Sequence, residues 1–158
     1  MPIYRATIAD LEQLVPLYEQ YRSFYDLAND TKAVTDFLAA RLRNQDTTLF
    51  VSPDRTSGAI MGFVQLFHSF SIYELSAYFI LNDVFVVPAF RKQGVGSALL
   101  EVAKQHCLDA GGRGLLLETG IENYNAQSLY LKAGFKPMAD VVFMGWEADK
   151  AIDYNKVG

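Results

Sequence analysis

Residues 81–100 read LNDVFVVPAFRKQGVGSALL. Residues 84–87 form a short apolar run with the character of a buried strand, and Pro88 opens a turn. A basic and then glycine-bearing loop follows, and from Gly94 the apolar residues fall at helical spacing. Arg91, Lys92, Gln93, Gly94 and Gly96 therefore stand at the N-terminus of a helix. Free backbone N–H groups and the positive end of the helix dipole favour an anion there, and glycine lets the backbone approach it closely. The stretch reads as strand, anion loop and helix, with a cofactor diphosphate as the expected guest.

Working outward, residues 77–87 make a long strand with apolar residues on both faces, as at the centre of a sheet. Residues 59–67 precede it as another strand. A turn-rich cluster at residues 52–58 joins that strand to residues 47–51 as an antiparallel hairpin. Residues 68–76 suit either a strand extension or a loop. Upstream, residues 3–6 alternate like a first strand, and Thr7 with Asp10 resembles a capping box. Leu11, Leu14, Val15 and Tyr18 then share one helical face. Tyr21, Phe24 and Tyr25 thicken the end of that helix, either as core or as the lining of a substrate cleft. Asn29, Asp30 and Thr31 form the next cap and open a second helix to about Arg43, with Val34, Phe37, Leu38 and Leu42 inward.

After the glycine loop, Val95, Ala98, Leu99, Val102, Ala103 and Cys107 form the buried stripe of a helix that Gly111 and Gly112 stop. Residues 114–117 suit a parallel strand reached by a crossover. Asn125 is the expected cap of a further short helix, and residues 141–146 the final strand. Residues 1–150 read as one domain and 151–158 as a loose tail.

The 158 residues are 51% hydrophobic and 20% charged, with a formal charge of −4, the composition of a compact globular domain. No basic run marks a nucleic-acid surface. No apolar stretch is long enough to be a membrane span or signal peptide. The single cysteine, Cys107, can form no intramolecular disulfide, so a reduced cytoplasmic setting is the expectation. No Cys, His and carboxylate cluster has metal-ligand spacing, so no metal is expected.

Two common phosphate-binding patterns do not fit the loop. A P-loop needs a lysine after its last glycine, and a dinucleotide fingerprint needs a third glycine. The second half of the chain narrows the choice with Asn123-Tyr-Asn-Ala126-Gln-Ser-Leu129-Tyr130-Leu-Lys-Ala-Gly134-Phe135. Arg-x-x-Gly-x-Gly after a Val-rich strand, followed by Asn-x-x-Ala-x-x-Leu-Tyr-x-x-x-Gly-Phe, resembles the GNAT superfamily of acyl-CoA-dependent N-acetyltransferases. The run 81–86 is similar to the central strand of its polyamine and histone-type members. The resemblance implies an α/β fold in the order β-α-α-β-β-β-α-β-α-β-β. Its mixed sheet has about six or seven strands, flanked by about four helices.

It also implies acetyl-CoA as donor, and an amine of a small molecule or protein as acceptor, attacking directly in a ternary complex. The diphosphate would lie on Arg91, Lys92, Gln93, Gly94, Val95, Gly96 and Ser97. The pantetheine arm would lie along free backbone of Phe85 and Val86, with Asn123 closing the slot. Asp83 is the first choice of general base, with Glu118 and then Glu74 as alternatives. Related enzymes often carry Glu-Asp where this chain has Asn82-Asp83, so one frequently used carboxylate is missing. A non-catalytic acyl-CoA-binding module on the same fold is the rival reading. Residues 141–146 and open sheet edges suit a homodimer.

Tyr130 matches the family's general acid, since a phenol can protonate a departing thiolate without ionising at rest. Tyr130→Phe is therefore expected to lower turnover by roughly 10²–10⁴-fold, measured as thiol release. An undiminished rate would remove Tyr130 from that role.

Overall fold

The computed structural model describes residues 2–148, so the tail expected at 151–158 lies outside the described residues. The chain falls into two compact units, Met1–Leu117 and Glu118–Gly158. The first holds a five-stranded sheet in the order β1-β2-β3-β4-β5. Its strands are β1 (Tyr4–Arg5), β2 (Thr48–Pro53), β3 (Ile60–Ser71), β4 (Ser76–Val86) and β5 (Leu115–Leu116). Pairing is antiparallel as far as β4, and β5 joins β4 in parallel. Helices α1 (Leu11–Phe24), α2 (Thr31–Asn44) and α3 (Val95–Asp109) complete the unit.

The first helix starts as its caps demand. The Thr7–Asp10 capping box is present and opens a single 3₁₀ turn that leads into α1. Asp30 caps α2 by accepting the Ala33 N–H at 3.0 Å. One core layer joins Leu14, Val15, Tyr18, Val34 and Leu38 to Leu49, Val51, Phe63 and Phe85. Tyr18 stacks on Phe63 with ring centroids 4.2 Å apart. The opposite sheet face meets α3, whose His106 touches both Phe50 and Phe79 edge-on. The stripe Val95, Leu99, Ala103 and Cys107 is buried.

Several expectations change. The uncertain stretch 68–76 extends β3 to Ser71 and then turns, so β3 and β4 form a long hairpin whose tip exposes Phe70, Ile72, Tyr73 and Leu75. Phe37 faces outward, with the Arg41 guanidinium 5.3 Å from its ring centre. Residues 141–147 carry no strand ladder, and Val142, Phe143, Met144 and Trp146 are exposed. The sheet of the described residues thus has five strands rather than six or seven. A β-prone run becomes a strand only where a neighbouring strand supplies ladder partners, and none of the described strands does so for 141–147.

In the second unit, α4 (Tyr124–Lys132) is capped by Asn123, whose Oδ1 accepts the Ala126 N–H at 3.3 Å. The expected cap, Asn125, sits inside the helix instead. Asn123 has the non-helical backbone (φ −82, ψ 68) that an N-cap requires. At the other end the Gly134 N–H bonds to Leu131 O, and the Phe135 N–H bonds to Tyr130 O. Gly134 has φ +92. This is a Schellman motif, and the Tyr130–Phe135 ring contact, 5.7 Å between centroids, is the apolar contact that accompanies it.

Phe63→Ala removes the ring on which α1 is stacked and is expected to cost about 3–5 kcal/mol in chemical denaturation. Phe70→Ala, at the exposed hairpin tip, should change that free energy by less than about 0.5 kcal/mol.

Candidate active site

Three expected residues, Asp83, Phe85 and Val86, lie close together near the C-terminal end of β4, and the geometry of that strand decides what each can do. The β3–β4 ladder pairs Gln65 with Asp83 and Leu66 with Leu81. Asn82 is thus an extra residue without an opposite number, a β-bulge. Side chains alternate along a strand, so Phe79, Leu81, Asp83 and Phe85 would otherwise share one face. The inserted residue reverses the alternation. Phe79 meets His106 of α3, whereas Phe85 meets Tyr21 of α1, with ring centroids 6.2 Å apart. Asp83 is carried to the α1 face with Phe85.

Asp83 is buried there. Its carboxylate accepts from the Asn82 side-chain amide at 2.7 Å, and the Tyr21 hydroxyl lies near enough to influence its charge. Burial is the largest influence and raises its pKa; Tyr21 and Asn82 oppose that rise in part. A carboxylic acid biased in this direction is a stronger proton acceptor than an exposed one. Across the ladder Gln65 is committed elsewhere. Its Oε1 accepts from the Tyr18 hydroxyl at 2.6 Å, and its Nε2 donates to Thr47 Oγ1 at 3.0 Å. Burial and the Asp83 charge hold both Tyr18 and Tyr21 well above the usual phenol range.

Among the described residues, the edge of β4 beyond this point pairs with no further strand. Strand β5 pairs only with Phe79 and Ile80, so residues 81–86 have no β5 partner. An extended amide-bearing chain can add to such an edge as a further strand does. The Val86 carbonyl is not free, however. It accepts from Arg91 Nε at 2.9 Å, and the same guanidinium lies 5.7 Å from the centre of the Phe85 ring. Arg91 therefore ties the anion loop back to the strand.

The loop itself meets the physical requirements of a phosphate site. Gly94 is the N-cap of α3 at φ +82, a conformation that suits glycine, and no side chain caps the helix. The first intrahelical bond recorded there is Ala98 N–H to Gly94 O at 3.0 Å. It leaves the amides of Val95, Gly96 and Ser97 without helical acceptors, as at any helix start. Lys92 is also left-handed, at φ 60, and Gln93 Nε2 donates to Ala89 O at 3.1 Å. Arg91, Lys92, Gln93, Gly94 and Ser97 are exposed. Uncapped amides, flanking cations and a splayed strand edge fit the diphosphate and pantetheine of a coenzyme A donor.

Among the other expected residues, Tyr130 and Asn123 belong to the second unit, where the first closes the Schellman motif and the second caps α4. Glu74 lies in the hairpin turn and bonds the Tyr78 hydroxyl, and Glu118 is the first residue of the second unit. Among the described residues, no three His, Cys, Asp or Glu side chains come together as a metal-ligand set. Sequence reading did not single out Tyr21 as a partner of Asp83. The aromatic run 18–25 pointed to that bend without separating core residues from site residues.

The acetyltransferase (GNAT) family model matches residues 14–135, most of the chain. The protein belongs to the GNAT acetyltransferase family. An uncharacterised N-acetyltransferase of Bacillus subtilis is 38% identical over 136 residues, covering 86% of this chain and 90% of its own. The aminoalkylphosphonate N-acetyltransferase of Salmonella typhimurium is 26% identical, covering 86% of this chain and 87% of its own. A crystal structure of a probable acetyltransferase superposes with a TM-score of 0.90 at 30% identity, covering 94% of this chain and 99% of that one. The GNAT fold and acetyltransferase activity follow from this membership, and the family implies acetyl-CoA as the donor.

The raised pKa of Asp83 fixes the sign of a pH effect. The carboxyl holds its proton more tightly folded than unfolded. Its contribution is most favourable below the unfolded value and is lost as pH rises through the folded one. In Asp83→Asn that loss should disappear, so the stability difference between the two proteins should shift in the variant's favour as pH rises from acid to neutral. Urea titrations across the acid range, compared between the two proteins, measure this.

Proposed function

We propose that this GNAT protein transfers the acetyl group of acetyl-CoA to a primary amine by direct attack in a ternary complex. The observation that carries the reading is Asp83, a buried carboxyl with raised pKa on the open stretch of β4. A lysine-like ammonium, of pKa ~10.4, costs about 4.6 kcal/mol to deprotonate at pH 7. Asp83 takes that proton, and the freed amine attacks the thioester carbonyl. A backbone N–H near Val86 stabilises the oxyanion, as preorganised donors do in acyl transfer. The tetrahedral intermediate collapses with loss of the coenzyme A thiolate, which Tyr130 protonates in the role the family resemblance assigns it; the second proton leaves the attacking nitrogen as the amide forms and restores the Tyr130 hydroxyl.

Donor binding falls to Arg91, Lys92, Gln93, Gly94, Val95, Gly96 and Ser97 at the diphosphate, and to Phe85 and Val86 along the arm. The free Nδ2 end of Asn123 remains for the slot, since its Oδ1 caps α4. Direct attack is supported by Cys107. It is buried on α3, where burial raises the thiol pKa, which is the reverse of what an acyl-carrying thiolate needs. Residues 1–150 act as one catalytic domain in this reading, because the family match runs through the boundary between the two units. A small cationic amine is the favoured acceptor. The Salmonella relative is named for aminoalkylphosphonates, and a Klebsiella aerogenes relative, 31% identical over 113 residues, is an aminoglycoside N(6')-acetyltransferase.

A homodimer fits the same picture. The hairpin tip and residues 141–146 expose nine large apolar side chains. Cytoplasmic residence suits the lone buried thiol.

Incubation with acetyl-CoA and separate pools of aminoalkylphosphonates, aminoglycosides, polyamines and lysine peptides should give saturable thiol release with a small-molecule pool. Tight coenzyme A binding without thiol release from any pool would overturn the enzymatic reading in favour of a binding module.

A further inference from the structure

The end of β4 offers an added chain fewer pairing groups than its length suggests. In an antiparallel ladder, residues alternate between those that aim N–H and C=O at the partner strand and those that aim both away. The Val87 N–H bonds to Met61 O at 2.9 Å. With Phe63 opposite Phe85 and Gly62 opposite Val86, Phe85 and Val87 therefore turn their backbone groups toward β3. Gly62 gives the same answer independently, since a Cβ there would stand 2.6 Å from Phe85 O. Val84 and Val86 are left to present their N–H and C=O groups to the other edge, beyond the last residue that β5 pairs. Ahead of the bulge the parity is reversed. The Phe79 N–H bonds to Gly114 O at 3.1 Å, and Ala77 O accepts from the Arg113 N–H at 2.9 Å, so odd-numbered residues serve the β5 side there.

One of the groups on the far edge is already taken. Val86 O accepts from Arg91 Nε at 2.9 Å. Because that oxygen points away from β3, the guanidinium sits where an added strand would place its own donor. Two further contacts hold it there. It lies 5.7 Å from the centre of the Phe85 ring, a cation–π arrangement. A 3₁₀ turn at Pro88–Phe90 also brings the chain back, with the Arg91 N–H bonded to Pro88 O at 3.3 Å. Val84 N–H, Val84 O and Val86 N–H remain for a chain that adds to this edge.

We propose that Arg91 is the positioning residue of donor binding: by occupying the Val86 carbonyl it ends the pairing edge of β4 and fixes the register in which the coenzyme A arm adds to Val84 and Val86. The arm carries amides spaced by flexible methylenes, and nothing in such a chain selects a register by itself. Pairing along an edge repeats every two residues, so a slip of one step would move the thioester by about 7 Å. Acyl transfer tolerates far less than that. The assignment rests on the proposed donor site and deepens it. It adds Val84 to the partners of the arm, and it gives Arg91 a task that charge alone does not perform. The Nε serves the strand, which leaves the diphosphate to the outer nitrogens.

The test follows backbone amide exchange in ¹⁵N-labelled protein with and without saturating coenzyme A, and it needs no acceptor. In the parent, coenzyme A should slow exchange at Val84 and Val86 by about tenfold, as new hydrogen bonds would. Arg91→Lys keeps the charge but lacks the planar Nε–H donor. It should still bind coenzyme A and lose that slowing at saturation, with exchange at Phe63 unchanged from the parent. Replacing Arg91 by citrulline, which is uncharged but keeps the Nε–H and the planar end, should weaken binding and retain the slowing at saturation. Slowing that survives in saturated Arg91→Lys overturns the proposal, and so does its loss in the citrulline protein. Failure of the donor reading looks different: the parent itself would bind coenzyme A without slower exchange at either valine, which overturns both.

Discussion

Strand β4 has to serve two masters, and one inserted residue reconciles them. Its N-terminal half must bury Phe79 and Leu81 in the sheet, with Phe79 against His106 of α3. Its C-terminal half must turn a carboxylate and Phe85 toward α1. An unbroken strand with period-2 alternation cannot do both on one parity of residues. The bulge at Asn82 shifts the parity midway, and bulges of this kind re-aim side chains next to active sites. The placement of Asp83 on the face that meets Tyr21 presupposes that shift.

The same strand joins the two halves of the proposed donor site in the first unit. Past Ile80 it runs without β5 beside it, and within a few residues it reaches the loop that starts α3. Arg91 bonds the Val86 carbonyl, so the position of the anion loop is coupled to the strand edge rather than set by the loop alone. The uncapped start of α3 and the left-handed Gly94 then leave backbone amides without helical acceptors, as the proposed phosphate site requires. Little of this depends on long side chains, which bind with more entropic cost than a rigid backbone does.

The motif around Tyr130 shows how one residue pattern can satisfy two constraints. Gly134 and Phe135 end α4 in a Schellman motif, and the Tyr130 ring provides its apolar contact. The tyrosine is thus held in direction by helix termination, whatever its hydroxyl does. A general acid benefits from such support, because its side chain must be placed before the thiolate leaves. The structural and chemical readings of Tyr130 are compatible for that reason.

Much was legible in the chain itself. Apolar periodicity, the Thr7–Asp10 and Asp30 caps and the glycine punctuation marked most helices and strands of the first unit to within a few residues. Two spaced motifs pointed to the GNAT family and its donor. These features are local, and each depends on a few neighbouring residues. What the tertiary structure alone decided was which residues meet across the fold. Pairing register placed the bulge at Asn82, because register is a relation between strands. Packing against Phe63 and Phe85 made Tyr21 a partner of Asp83 rather than one more core aromatic. The absence of a ladder among the described residues left 141–147 without the strand that its composition favours, because a strand is completed only by its neighbour.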